Sequence, residues 1–152
     1  MLQKFIKQFV VAGLAVLVVA TSVSTVQASQ DQIKFRKTVM KGIGASMGGL
    51  KAVVQGKAGM ASAAGLASAI MGFSEAAASA FPKGSSGDKS RAKDEIWSKP
   101  AEFKAALMAF QKASANLASV AKGGDAGALK AAFGGVGKAC GGCHKPFRKP
   151  KS

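Results

Sequence analysis

The chain has 152 residues, of which 48% are hydrophobic and 19% charged, so it can pack one domain and is not a disordered chain. It contains 22 basic residues, 7 acidic residues, two cysteines and one histidine. These counts exclude a disulfide-rich scaffold, a histidine-based catalytic cluster and a multi-histidine metal site. No acid–base or nucleophile set is visible, so we do not expect an enzyme.

The first 28 residues have the three-part pattern of a secretory signal peptide. Lys4 and Lys7 make the N-terminus positive, an apolar run extends from Phe9 to Ala20, and small residues lead up to Ala28. The apolar run is short for a membrane-spanning helix. We therefore predict cleavage of residues 1–28 and export of the mature chain to a bacterial periplasm, with an uncleaved anchor as the alternative.

The mature sequence predicts four helices in succession. In the first, inward residues recur every three or four positions from Ile33 to Val54, and Gly56 follows its end. The second is rich in alanine, runs from about Met60 to Phe81 and is stopped by Pro82. A long connection rich in glycine, serine and charge follows, and we expect Trp97 near its end to pack into the core.

The third and fourth helices have clear start signals. Pro100 suits the first turn of the third helix, which Gly123 and Gly124 end. Asp125 then caps the fourth helix, and Pro146 weakens its last turn. Helices of about 20 residues with one long connection predict an all-α, antiparallel four-helix bundle that forms a single domain.

The fourth helix contains Cys140-Gly141-Gly142-Cys143-His144, which is the attachment pattern of c-type haem. Two thiols three residues apart lie on one side of a helix, so each can bond to a vinyl group of one haem while His144 binds iron. A zinc site needs about four ligands, and no other cysteine or histidine exists to complete one. A disulfide would leave His144 unexplained. We predict one haem c with its iron, attached through Cys140 and Cys143.

The position of this motif near the C-terminus resembles the class II c-type cytochromes, the cytochrome c′ family. The resemblance covers about residues 30–149 and includes the segments Phe35-Arg36-Lys37-Thr38-Val39-Met40, Asp94-Glu95-Ile96-Trp97 and Val136 to Arg148. It implies an exported four-helix bundle with covalent haem placed near the C-terminal helix.

The resemblance also implies two branches, which differ in what faces the iron opposite the histidine. In the gas-binding branch a non-ligating apolar or aromatic side chain blocks that side and leaves five-coordinate, high-spin iron. In the branch of cytochrome c-556 a first-helix methionine binds the iron. The family places that methionine four residues after an arginine of the first helix. In this sequence the arginine is Arg36, so the methionine is Met40. Periodicity alone leaves Met47 and simple core packing as alternatives. We expect His144 and Met40 to bind the iron.

This ligand pair predicts a periplasmic electron carrier whose iron cycles between the ferrous and ferric states. A five-coordinate protein that binds nitric oxide or carbon monoxide is the alternative. A haem-free structural or metal-handling protein is a third hypothesis.

Four further residues are expected around the haem. The inward register of Arg36 favours hydrogen bonds to a haem propionate over a solvated charge, and the resemblance supports that role. Arg148 can do the same or lie along the haem edge. Ile43 and Phe147 are expected to form pocket walls, a role that differs little from ordinary core packing.

The basic charge predicts the partners. It favours steering toward a redox partner with an acidic surface, with attraction to an anionic membrane as an alternative. Export and the scarcity of aromatic residues argue against nucleic-acid binding. The sequence leaves monomer and homodimer open, and the resemblance implies that a homodimer would pair through the first two helices. The basic residues form two groups, Lys34, Lys37, Lys41 and Lys51 on the first helix, and Lys138, Lys145, Arg148, Lys149 and Lys151 around the motif.

Overall fold

The computed structural model describes residues 29–150, so the predicted signal peptide lies outside the described residues. Four long helices and a single-turn helix make up most of this part. They are α1 (residues 29–54), α2 (Ala63–Ala76), the single turn α3 (Glu95–Ser98), α4 (Pro100–Ala121) and α5 (Ala126–Phe147). None of the helices described between residues 29 and 150 combines the length and apolarity needed to cross a membrane.

Contacts between neighbouring helices give their relative direction. Gly42 of α1 faces the ring of Phe73 on α2, and Gly49, further along α1, faces the earlier residue Leu66. Helices α1 and α2 are therefore antiparallel. Helix α4 packs against both α2 and α5, and the short connection at residues 122–125 reverses the chain between α4 and α5. The predicted antiparallel four-helix bundle is confirmed.

Local sequence signals set the ends of the helices. Helix α1 ends in a Schellman motif, in which the Gly56 amide donates to Val53 at 2.9 Å and the Lys57 amide donates to Ala52 at 2.8 Å. Gly56 has a φ of 70°, which a residue with a side chain rarely adopts. The carboxylate of Asp125 accepts a hydrogen bond of 2.6 Å from an amide of the first turn of α5, as the capping signal predicts.

One apolar cluster, here called the main cluster, joins all four long helices. Its face on α1 is turned slightly from the predicted stripe, because Val39 and Val53 are buried while Met40 and Met47 are half-buried at its edge. A helix that packs between two neighbours buries a wide face, which periodicity locates only approximately. The buried members of the cluster are Val39, Ile43, Leu50, Val53, Ala63, Ala67, Ile70, Ala77, Phe110, Leu117, Ala118, Ala121, Leu129, Ala132 and Val136.

The connection between α2 and α4 has more structure than its composition predicts. It contains α3, and it buries Ser85 and Ser90, which are 1% and 6% exposed. The indole nitrogen of Trp97 donates to the carbonyls of Phe81 and Pro82 at 3.2 and 3.0 Å, and its ring is half-buried, as predicted. A second apolar group, here called the loop cluster, forms at this end of the bundle from Ala92, Ile96, Phe147, Phe81, Trp97, Phe103, Ala106 and Cys143.

Candidate haem-binding site

The attachment motif lies at the border between the two apolar clusters. Cys140, Cys143 and His144 are all half-buried near the end of α5, and both cysteines are free thiols. Cys140 packs against the main cluster, whereas Cys143 packs against the loop cluster. The helix thus presents the two thiols to apolar surroundings on the same side of the protein core.

Burial and nearby charges shift the pKa values of the two thiols and the imidazole of the motif. Burial raises the pKa of the Cys140 and Cys143 thiols, and the nearby charge of Arg148 acts in the opposite direction. Burial lowers the pKa of His144, and the positive charges of Arg148 and Arg91 lower it further. The neutral imidazole that results is the form with a free lone pair for a metal.

The residues present fit a covalently attached haem. Two thiols in the attachment spacing are unpaired, and a neutral imidazole follows them directly. A cavity of about 410 Å³ opens between α4 and α5 beside Cys143. Its other lining side chains are small apart from one lysine: Ala106, Ala109, Ala113, Gly135, Lys138, Ala139 and Gly142.

Helix α1 supplies the residues expected opposite the histidine. Met40 is half-buried and packs against the main cluster, as does Cys140 of α5. Ile43 is 6% exposed and belongs to the same cluster, where a pocket wall would lie. Met40, Ile43 and Cys140 thus share the main cluster, which spans all four long helices, whereas the cavity beside Cys143 is lined by α4 and α5 alone. Iron binding by Met40 stays a prediction.

Arg36 lies in the interior, with only 5% of its surface exposed. Its Nε donates to the carbonyl of Ala80 at 3.1 Å, and its Nη1 donates to the Ser90 hydroxyl at 3.3 Å. Its Nη2 donates to both the carbonyl and the hydroxyl of Ser85, at 2.6 and 2.9 Å. Four hydrogen bonds therefore tie α1 to the connection between α2 and α4.

Aromatic rings complete the surroundings of this guanidinium. Its central carbon lies 4.6 Å from the centre of the Phe81 ring and 6.0 Å from that of Trp97. Burial lowers the pKa of Arg36, which remains charged because the guanidinium pKa is so high. The contacts of Arg36 are thus with the connection, and the predicted bond to a haem propionate remains a prediction.

The two residues that close the site differ in exposure. Phe147 is 4% exposed, and its ring meets that of Phe103 edge-to-face at 5.2 Å within the loop cluster. Arg148 is exposed and forms an isolated antiparallel bridge with Ala92. Its amide donates to the carbonyl of His144 at 3.1 Å, so it lies directly after the motif.

Sequence reasoning missed the residues that the connection contributes. Ser85 and Ser90 bind Arg36, and Arg91 binds the backbone of Lys149 shortly after the motif. One signal pointed to them, since an inward arginine needs oxygen acceptors. The connection is rich in serine, but its charge and glycine content suggested a solvated loop.

The helical c-type haem proteins are four-helix bundles whose last helix carries two free thiols three residues apart, followed directly by a histidine. This chain has that arrangement. The family model of cytochrome c′ matches residues 31–148. The chain belongs to the cytochrome c′ family and binds haem c covalently, with its iron; its only two cysteines are the attachment residues available.

Relatives and solved structures agree with this assignment. Cytochrome c′ of Pararhodospirillum photometricum is 38% identical over 119 residues, which cover 77% of this chain and 95% of the relative. Cytochrome c-556 of Rhodopseudomonas palustris is 32% identical over 151 residues, which cover 94% of this chain and 97% of the relative.

Solved structures of cytochrome c′ from Alcaligenes xylosoxidans have the same fold. A nitric oxide complex of one variant has a TM-score of 0.76 and 34% identity, and it covers 81% of this chain and 97% of its own. A second variant was solved with carbon monoxide bound.

Proposed function

We propose that this protein is a five-coordinate haem c protein that binds nitric oxide or carbon monoxide. The observation that carries the proposal is the likeness to the Alcaligenes xylosoxidans protein, whose variants bind both gases. The likeness covers about four fifths of this chain at 33–34% identity, so it extends over nearly all of the bundle that would hold the haem.

The chain's own residues have distinct tasks in this function. Cys140 and Cys143 hold the haem by two thioether bonds, and His144 supplies a neutral imidazole nitrogen to the iron. Bound haem supplies an iron that takes up a diatomic gas or exchanges one electron. Met40 and Ile43 provide an apolar face on the other side, which excludes water and other polar ligands.

Absorption and electron paramagnetic resonance spectra of the purified holoprotein test this proposal. We expect a high-spin ferric spectrum, and a ferrous spectrum that changes when carbon monoxide is titrated in. A low-spin ferric spectrum together with a ferrous form that does not bind carbon monoxide would overturn the proposal.

A second candidate function is a low-spin electron carrier in which the Met40 thioether binds the iron. Two observations favour it: the position of Met40 four residues after Arg36, and the similarity to a cytochrome c-556 over 94% of the chain. A thioether is a soft ligand that raises the reduction potential of haem iron. The same spectra separate the two candidates, because only this one predicts a low-spin ferric state.

The exposed charge supports an acidic redox partner for either candidate. Lys138, Lys145 and Arg148 are exposed on or beside the last turns of α5, where the haem is attached. Opposite charges steer a partner to this end, and salt screens the attraction. Raising the salt concentration therefore slows electron transfer to such a partner, and a rate that does not respond to salt would exclude steering. If the basic charge instead attracts the protein to an anionic membrane, the protein should bind to anionic vesicles.

The place of action and the assembly follow from the same reasoning. The signal pattern supports export to the periplasm. N-terminal sequencing of protein purified from the periplasmic fraction tests this, and we expect the mature chain to begin at Ser29. The alanine-rich helix α2 permits a close homodimer. Sedimentation of the holoprotein distinguishes a monomer from a dimer.

A further inference from the structure

Two residues of the connection hold the segment that follows His144. The Lys149 amide donates to the carbonyl of Arg91 at 2.7 Å, and the Lys93 amide donates to the carbonyl of Phe147 at 3.0 Å. The two short segments therefore run antiparallel, as strands pair in a sheet. We call this pairing the C-terminal clamp.

The side chain of Arg91 strengthens the clamp. Its Nε and Nη2 both donate to the carbonyl oxygen of Lys149, at 3.0 and 2.7 Å. A guanidinium presents two parallel donors in a rigid plane, whereas the ammonium of a lysine is a single flexible group. Arg91 therefore holds the backbone of Lys149 from both its main chain and its side chain.

The end of α5 needs such support. Pro146 lies inside the last turn and has no amide to donate, so this turn lacks one helical hydrogen bond. The Arg148 amide donates to the carbonyl of His144 at 3.1 Å, and the helix ends there. The turn that contains the histidine thus depends on contacts made outside the helix.

The clamp is also fastened to α1. The hydroxyl of Ser90 accepts a hydrogen bond from the Ala92 amide at 3.1 Å and another from Arg36 at 3.3 Å. A continuous set of hydrogen bonds therefore joins the helix of Met40 to the segment after His144. Arg91 lies within this set, between the connection and the C-terminal segment.

We propose that Arg91 is a positioning residue for His144: its guanidinium fastens the Lys149 carbonyl, fixes the end of α5 and places a positive charge at that end of the helix. The proposal rests on the proposed function only in that His144 binds the haem iron. Ferric iron has one more positive charge than ferrous iron, so a nearby cation favours the ferrous state. Arg91 therefore both orders this turn and raises the reduction potential.

The test compares three variants of the holoprotein: Arg91→Gln, Arg91→Lys and the matched control Lys89→Gln. Lys89 is exposed and lies in the same connection, so its replacement removes the same charge without touching the clamp. The two readouts are hydrogen–deuterium exchange of a peptide that contains Lys149, measured by mass spectrometry, and the midpoint potential of the haem.

In Arg91→Gln we expect exchange at this peptide to accelerate about tenfold, because hydrogen bonds of the clamp are lost, and the midpoint potential to fall. Arg91→Lys also accelerates exchange but lowers the potential less, since the charge remains. Lys89→Gln changes neither readout to a comparable extent.

Equal effects of Arg91→Gln and Lys89→Gln, or unchanged exchange in both Arg91 variants, would overturn the proposal. Circular dichroism checks that each variant is folded, and Arg91→Lys provides the test if Arg91→Gln does not fold. Failure of the gas-binding function is seen separately, because it appears in the spectra of the unmodified protein.

Discussion

Met40 is the residue on which the two candidate functions diverge. It is half-buried on α1, one turn after Arg36, and it packs against the same apolar cluster as Cys140. A thioether in that position either binds the iron or covers it without a bond. The spectrum of the native protein and that of one variant together distinguish these roles.

Replacing Met40 with alanine should leave the ferric spectrum high-spin and make carbon monoxide association several-fold faster, because a shorter side chain covers the iron less. Stopped-flow absorption measures the rate. Met47→Ala, two turns further along the same helix and also half-buried, is the control and should leave the rate unchanged. A change from low-spin to high-spin in Met40→Ala would instead show that the thioether binds the iron.

Arg36 illustrates how carbonyl and hydroxyl oxygens stabilise a buried charge. Its four hydrogen bonds go to carbonyl and hydroxyl oxygens, and two aromatic rings lie against it. Removing a buried charged group from such partners leaves polar atoms unsatisfied, which is more costly than losing a surface charge.

Arg36→Lys should lower the free energy of unfolding by about 3 kcal/mol, because a lysine keeps the charge but cannot reach all four acceptors. Denaturant unfolding followed by circular dichroism measures this loss. The neighbouring Lys37 is exposed, so Lys37→Gln should change the stability by no more than about 0.5 kcal/mol. Similar losses in the two variants would show that the contacts of Arg36 contribute little.

At the scale of the elements, the packing of α1 against α2 depends on glycine. A Cβ atom at Gly42 would lie closer than 3.0 Å to three atoms of the Phe73 ring, whereas one at Gly48 would meet nothing within 4 Å. The two glycines lie on the same helix without a positive φ, so they differ in their surroundings and not in their backbone.

Gly48→Ala should therefore raise the free energy of unfolding by roughly 0.5–1 kcal/mol, since alanine favours the helix. Gly42→Ala should lose this gain or become destabilising, because the Phe73 ring must move. Thermal unfolding of the two variants side by side measures the difference. An equal gain in both would mean that the ring moves at no cost.

On the scale of the whole molecule, the main cluster makes the four helices one cooperative unit. Leu117 of α4 is fully buried within it, whereas Met108 of the same helix is 56% exposed. Removing methylene groups from such a cluster loses their burial and leaves a cavity that the neighbouring helices fill only in part.

Leu117→Ala should lower the free energy of unfolding by about 2–5 kcal/mol, and Met108→Ala should change it by no more than about 0.5 kcal/mol. Denaturant unfolding of the holoprotein, followed both by circular dichroism and by haem absorption, measures the two values. Coincident transitions from the two probes are expected if the bundle unfolds as one unit. A small loss in Leu117→Ala would contradict a single shared core.

The sequence by itself determined the four long helices, most of their ends and the attachment residues, but not the short helix α3. Each depends on a signal within a few positions: the spacing of apolar residues, a glycine at position 56, the capping residue Asp125 and the three-residue spacing of Cys140 and Cys143. Such signals act through the geometry of one helix, so they can be recognised before the chain is folded.

Only the tertiary structure decided what surrounds the motif. Arg36 meets Ser90 across 54 positions of the chain, and Arg91 meets the Lys149 carbonyl across 58. The sequence around a serine or an arginine in a polar connection looks the same whether the folded protein buries that residue or leaves it in water. The packing of the bundle decides which of these residues are buried. When α1 and α5 pack against the connection, water is removed and these polar groups bind one another.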